Sequence, residues 1–557
     1  MRAAGQLWNR KFLGAHQGVL VWRLRIRYPS TVRRVLWGLG FGWVLVGCGA
    51  APQVAGWLQV DTEHIRLRTT LDRSDAVATA GRLQAMRDSL AGSVLKCGFS
   101  APSNRIEIVT LPDDQFELIA PARFTGIYGE DPGGPLVGRS GQVIVRQDLS
   151  FAAMQVFQHE LGHRLVASCF PAAPAWLHEG LASFLETGRV DNGRLELGLP
   201  RFLINNDVQR AGAGMLRGLV VEYLPISRLA SVNGLVRMTH SEFHTVGARK
   251  DLRLSPEHAN YATAWALVHY LELGDAALGR RFHQFLGALH SGASDPVAAW
   301  VSAFGSVNLD PGLKRYLENF EGTYLELKYD PPRRGEAQVR ELSLGEMEIE
   351  WAWWLPKRTP EQRADVRARI ERAAQDPQSY AAAQLLSAVI AMGNDDYPAA
   401  LEILRATLRR EPELEHALAL FVMTSAGAAK AAKNTPSLEL ASVAERLRKR
   451  PNSVRAQVAL AQFELVYGSF TAGLKHGQQA VTVAPQDWFA WYTLAAALLA
   501  SDYTEDAVWA CGRALNLAPH DAPGIQHMVT QLQTAIANHP RGPVVAPADQ
   551  QVLQQLP

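Results

Sequence analysis

Long basic runs are missing from this chain. Lys and Arg total 56 against 54 Asp and Glu, a formal net charge of +2, and no cluster of positive charge stands out beyond the first 35 residues. Balanced charge without a basic patch argues against nucleic acid as a partner. Cysteine is scarce: Cys48, Cys97, Cys169 and Cys511 are the only four in 557 residues, too few for a disulfide framework. The apolar run near the N-terminus, VLWGLGFGWVLVG, is also too short for a confident membrane-spanning helix. What is present is length. At roughly 150 residues per domain, the chain is expected to hold about three units, each able to bury a core.

The N-terminus reads as a targeting segment. Arg23, Arg25, Arg27, Arg33 and Arg34 precede the apolar run, which ends in LVGC at Leu45 to Cys48. Small residues before that cysteine resemble a bacterial lipobox; an ordinary signal peptide or a single anchor helix is the alternative. The resemblance implies a signal peptide over 1–47, cleavage before Cys48 and lipidation of its thiol, with 48–55 as anchor and linker. At about 0.8 kcal/mol per buried methylene, several acyl chains hold a protein firmly on a membrane. Gly49 is not the aspartate that would imply inner-membrane retention, so the expected address is the outer membrane, facing the periplasm. With Cys48 lipidated, an oxidising compartment permits a Cys97–Cys169 disulfide, and a reduced, buried pair is the alternative.

Beyond residue 56, GWLQVDTEHIRLRTT alternates like a strand, SDAVATAGRLQAMRDSLAGSVL has helical spacing, and NRIEIVTL reads as another strand. Residues 118–140 are Gly- and Pro-rich loop, ending at the strand-like QVIVRQD. SFAAMQVFQHELGHRLVASCF then has apolar residues at helical intervals and stops before Pro171, and PAAPAWLHEGLASFLE reopens a helix. Residues 187–255 are irregular. HANYATAWALVHYLELGDAALGRRFHQFLGALH gives two helices that extend this unit, 56–325. A linker, 326–358, contains the aromatic EMEIEWAWWLP, which has no evident role. Thr359, Pro360 and Gln362 mark a helix start of capping-box type.

A repeat follows. Pro451, Pro485 and Pro519 are 34 residues apart, with Ala480 and Ala514 each five before a proline, and Ala461 and Ala495 standing where close helix contact needs a small residue. The period resembles tetratricopeptide repeats, which implies antiparallel helix pairs stacked as a solenoid with a concave surface for a protein partner. Three to four such units fill 359–538, and 539–557 reads as a disordered tail.

The densest chemistry lies in HELGHRLVASCFPAAPAWLHEGLASFLE, residues 159–186. His159 and His163 are about one helical turn apart, so both imidazoles project from one face and can share a metal. Glu160 lies one step round, where a carboxylate reaches a water beside the metal. Catalytic zinc takes three protein ligands and leaves one position open. Glu179 supplies the third, because the intervening residues suffice for a Pro-rich turn that folds the second helix back. The pattern resembles the gluzincin metallopeptidases, distantly aminopeptidase N, in which H-E-x-x-H precedes a ligand in a W-L-x-E-G-x-A-x-x-x-E context. Trp176, Leu177, Gly180, Ala182 and Glu186 match it. The resemblance implies one zinc ion held by His159, His163 and Glu179, with Glu160 as catalytic base and Glu186 bracing a zinc-binding histidine. It also implies an α+β zincin-like domain, mostly helical with a small N-terminal sheet, ahead of the α-helical solenoid. In the aminopeptidases a tyrosine heading a downstream helix stabilises the oxyanion, and Tyr261 in NYATAWALVHYLE matches it, with Ala264 in place of a glycine. Tyr270 is its rival, read as core packing.

There are departures. The spacing to Glu179 is shorter than in aminopeptidase N, and the G-A-M-E-N segment that captures a substrate amine is replaced by SGQVIVRQD. A broader relative of the peptidase MA type is therefore expected, with a peptide or protein as substrate. Cys169 as a fourth ligand would close the site. His178 is expected to be solvated, and His240, His244 and His258 read as surface or cleft residues without an assigned role. The leading expectation is a membrane-anchored zinc metallopeptidase whose repeats recruit a partner or substrate. The alternatives are a catalytically idle zinc-binding scaffold lipoprotein and hydrolysis of a non-peptide bond.

Overall fold

In a computed structural model, the described residues are 56–539 apart from 94–104, 121–125, 130–141, 171–172, 192–193, 200–201, 205–221, 245–255, 292, 294, 321, 329–336, 356–358, 430–434, 486 and 519–522. The segment read as a lipobox, with Cys48, and also Cys97, Pro519 and residues 540–557 lie outside them. Among the described residues no helix is long and apolar enough to cross a membrane.

The first unit is built on a mixed six-stranded sheet. Its strands are β1 (Leu58–Asp61), β2 (Ile65–Thr69), β3 (Ile106–Leu111), β4 (Gly126–Gly129), β5 (Gln142–Arg146) and a late strand, Gln338–Glu341. The order is late strand, β1, β2, β3, β5, β4, with β2, β3 and β5 parallel and the remaining pairs antiparallel. GWLQVDTEHIRLRTT, expected as one strand, is thus two. In β2, Ile65, Leu67 and Thr69 are buried on one face while Arg66 and Arg68 turn to the other, the period-two consequence of a pleated backbone. β4 comes from the stretch read as loop and forms an edge.

Helix α1 (Arg73–Ser93) and helix α2 (Phe151–Cys169) pack on one face, where Val60, Leu67, Ile108, Val143 and Val145 meet Ala80, Leu83 and Phe157. Then come α3 (Ala175–Leu185), α4 (Pro256–Leu273), α5 (Ala276–His290), α6 (Pro296–Phe304) and α7 (Asp310–Glu318). The 187–255 stretch, expected to be irregular, supplies short strands β6 (Arg189–Asp191), β7 (Arg194–Leu197), β8 (Phe202–Ile204) and β9 (Glu222–Leu224).

The segment read as a linker carries regular structure among its described residues. Residues Leu325–Lys328 form β10, which pairs with β7, and Gln338–Glu341 is β11, the late strand on β1. The aromatic stretch of unassigned role is α8 (Leu344–Trp354), started by a Ser343–Glu346 capping box. Its Met347 and Trp351 cover the second face of the sheet against Val109, Leu111 and Ile144. Ile349 and Ala352 instead join Val366, Ile370, Ala383 and Leu386 of the following helices. Its glutamates divide in the same way. Glu350 receives Gln142 Nε2 at 3.2 Å, whereas Glu348 pairs with Arg369 and Arg372 at 2.9 and 2.8 Å. One helix thus shares its apolar surface between two cores, because its faces differ in sequence.

The rest is helical. α9 (Pro360–Ala373) begins with the capping box expected at Thr359 and Gln362. α10 (Tyr380–Gly393) and α11 (Tyr397–Arg410), α12 (Glu415–Ala428) and α13 (Leu438–Arg448), α14 (Val454–Tyr467) and α15 (Phe470–Val483), and α16 (Trp488–Ala500) and α17 (Thr504–Leu517) follow as helix pairs, closed by α18 (Pro523–Ala537). Ala461, Ala480, Ala495 and Ala514 are fully buried, as expected where two backbones approach.

Candidate metal centre

Helix α2 leaves β5 through a short turn and is capped by Ser150, whose hydroxyl accepts from Ala153 N. It ends before the Pro-rich connection, from which α3 starts behind Pro174. Every residue of α3 is buried, because it lies between α2 and α4. Two glycines permit this. A Cβ on Gly162 would lie 2.8 Å from Ala182 Cα, and one on Gly180 would lie 2.7 Å from Ala264 O. Only hydrogen fits at these crossings, so backbone meets backbone and short side chains converge.

Three ligand groups converge there. His159 Nε2 and His163 Nε2 stand 3.1 Å apart, and Glu179 Oε2 lies 3.6 and 3.5 Å from them. Donors around a tetrahedral ion with ligand distances of about 2.0–2.1 Å are separated by about 3.3 Å, which this triangle approximates. His159 Nδ1 donates to Glu186 Oε2 at 2.6 Å. That bond fixes the ring's tautomer and turns the Nε2 lone pair toward the other ligands.

The charges also ask for a cation. Glu179 and Glu186 are 1% and 4% exposed, and buried carboxylates are costly without positive charge nearby. Burial opposes protonation of His159, yet its bonds to Glu179 and Glu186 outweigh that and hold its pKa well above the ordinary 6.5. His163 is pushed down to about 4 by burial, leaving it neutral and ready to ligate. Burial, with Glu179 and Glu186 adding to it against the pull of His159, lifts Glu160 from 4.5 to about 7. Two imidazoles and a carboxylate suit zinc.

Among the described residues these three are the ones placed to hold a metal ion. Cys169 is disulfide-bonded, so it is no fourth ligand. Tyr261, in the first turns of α4, is half-buried with its hydroxyl 3.3 Å from His244 Nδ1. Tyr270 packs against Gly274, Gly312 and Tyr316, as expected of a core residue.

One histidine differs from expectation, and another gains a place. His178 is 2% exposed, with its ring 6.1 Å from that of His163; the buried middle helix has no solvent face to offer it. Burial pushes it to about 3. His244, to which sequence assigned nothing, stands with Nε2 3.8 Å from Glu179 Oε1. It follows a four-residue helical turn in a stretch without periodicity, so no pattern in the sequence marked it.

The family described as "Protein of unknown function (DUF1570)" matches residues 154–291, a segment that contains every residue of this cluster. No curated protein and no solved structure matches the chain.

Proposed function

We propose that this chain is a zinc-dependent metallopeptidase of the gluzincin type, with a zincin-like fold, held on a bacterial envelope membrane through Cys48. The observation that carries the reading is the triangle of His159, His163 and Glu179 with Glu160 beside it and Glu186 behind it. When bound, zinc supplies Lewis-acid polarisation of the scissile carbonyl and of the attacking water. Glu160 accepts a proton from that water as its oxygen bonds the carbonyl carbon. It then delivers the proton to the departing amine as the C–N bond breaks. Tyr261 donates a hydrogen bond from its hydroxyl to the carbonyl oxygen as negative charge builds there. Glu186 keeps His159 in the ligating orientation. The helix pairs beyond α8 recruit a protein partner or the substrate, an envelope protein or peptide, and α8 holds them beside the sheet.

The test is peptide profiling of envelope proteins with wild type and Glu160→Gln, with bound metal quantified in both. About one zinc per chain in each and cleavage by wild type alone supports the reading. Zinc without cleavage in wild type would leave a zinc-binding scaffold. Full zinc in Glu179→Ala would remove the third ligand.

A further inference from the structure

The carboxylate of Glu179 divides its two oxygens. Oε2 faces the two ligand imidazoles, at 3.6 and 3.5 Å. Oε1 lies 3.8 Å from Nε2 of His244, whose other ring nitrogen, Nδ1, lies 3.3 Å from the Tyr261 hydroxyl. We propose that His244 is a positioning residue that links the third metal ligand to the tyrosine and holds the Tyr261 hydroxyl in place for the developing oxyanion. The proposal rests on the peptidase reading above and on Tyr261 as the donor within it.

The surroundings are built to keep the two rings together. Phe243 is fully buried, and its carbonyl accepts from Asn260 Nδ2 at 2.9 Å. The residues immediately before His244 and before Tyr261 are therefore tied to each other. The Tyr261 ring lies 5.4 Å from Phe243 and 5.9 Å from His244, tilted against the first and edge-on to the second. Phe243 itself lies 5.0 Å from His244. Two aromatic rings from one short segment thus restrain the phenol, and a stiff ring with only two rotatable bonds is then fully oriented.

The carboxylate charge also biases the tautomer. At 3.8 Å Glu179 Oε1 is too far from Nε2 for a hydrogen bond, but its charge favours the proton on Nε2, and in that tautomer Nδ1 accepts from the Tyr261 hydroxyl. In the resting protein that hydroxyl is satisfied by an imidazole nitrogen. An oxygen gaining full negative charge is the stronger acceptor. The O–H turns to it by rotation about the C–O bond, with the ring stationary. An interaction made only when charge develops lowers the barrier without tightening the ground state. His244 therefore affects turnover more than substrate binding.

Four proteins test this: His244→Leu, His244→Asn, Tyr261→Phe and the double variant His244→Leu/Tyr261→Phe, each with its zinc content measured. His244→Leu is expected to keep zinc, to lower kcat about tenfold and to leave KM within about twofold. His244→Asn, whose side-chain amide ends near the position of Nδ1, recovers most of the loss. In the Tyr261→Phe background, His244→Leu costs less than about a further twofold, because the group it acts through is gone. A second readout needs neither zinc nor turnover. In metal-free protein with 15N-labelled histidine, the His244 resonances are identified by their loss in His244→Leu, and the Nδ1 signal shifts in Tyr261→Phe. Multiplicative losses in the double variant, zinc loss in His244→Leu, or an Nδ1 signal unmoved by Tyr261→Phe would each overturn the assignment. If wild type cleaves no peptide, the peptidase reading falls while the resonance measurement still decides the His244–Tyr261 link.

Discussion

Glu186 is the sharpest place to perturb the centre without touching a ligand. Its carboxylate is 4% exposed and accepts from His159 Nδ1 at 2.6 Å, a charge-assisted bond in a place that water does not reach. Such bonds contribute about 1.5–3 kcal/mol, against about 0.5–1.5 for neutral ones. Glu186→Gln preserves size and leaves a neutral acceptor for the same N–H, so the expected loss is the difference, about 1–1.5 kcal/mol. That corresponds to roughly tenfold weaker zinc binding. Glu186→Ala removes the acceptor entirely and leaves His159 free to rotate, for a loss of about a hundredfold, at the upper end for outer partners of metal-binding histidines. The assay is competition for zinc against a chelator of known affinity, with thermal unfolding of the metal-free proteins as a check on folding. A zinc constant within about twofold of wild type for both variants, with folding intact, would show that His159 does not depend on Glu186 for its orientation.

Three further outcomes follow from the packing. Gly180→Ala should destabilise the first unit by about 1–2 kcal/mol, because overpacking against Ala264 O at 2.7 Å and Val268 Cγ2 at 2.8 Å outweighs alanine's better helix propensity; an unchanged denaturant midpoint would contradict the close approach. His269 is fully buried, and its Nε2–H donates to Gly198 O and Thr323 O while Nδ1 accepts from Tyr316. Burial lowers its pKa from 6.5 to about 4. The unfolded chain therefore binds the proton more readily, and the stability is complete above pH 6.5 and lost as pH falls toward 4, about 3 kcal/mol at most. In urea titrations across that window, His269→Gln should flatten the slope, and an identical slope would remove His269 as its source. Trp351 of α8 packs on Val109, Leu111 and Ile144, so Trp351→Ala should destabilise the first unit by about 3–5 kcal/mol; an unchanged denaturant midpoint would show that α8 is not the cover.

Much of the centre was legible in the sequence. The four-residue step from His159 to His163 and the helix periodicity around it place both imidazoles on one face whatever the fold, since the geometry is local to one helix. The Pro-rich interval makes a return helix carrying Glu179 the economical reading, and the resemblance of WLHEGLASFLE to the gluzincin pattern singles out Glu186, which lies 2.6 Å from His159. Alternating apolar residues mark β2, the short apolar stretches NRIEIVTL and QVIVRQD mark β3 and β5, and Thr359 with Gln362 marks a helix start, because these signals too are short-range.

Other features depended on contacts distant in sequence. EMEIEWAWWLP has too many apolar and acidic residues for one amphipathic face, and only the presence of a sheet on one side and a helix pair on the other explains both sets. β11 is a strand because β1 offers it an edge, some 280 residues away, and four residues carry no signal strong enough to say so alone. His178 was expected in solvent because a helix start is usually exposed, yet α2 and α4 cover it on both sides. His244 lies in a stretch with no period at all, and its place between Glu179 and Tyr261 comes from the burial of Phe243 and the bond from Asn260. Spacing within a helix determined which groups can act together; which further groups join them was decided by how closely three helices approach at Gly162 and Gly180, since a side chain of fixed reach meets only what the backbones bring to it.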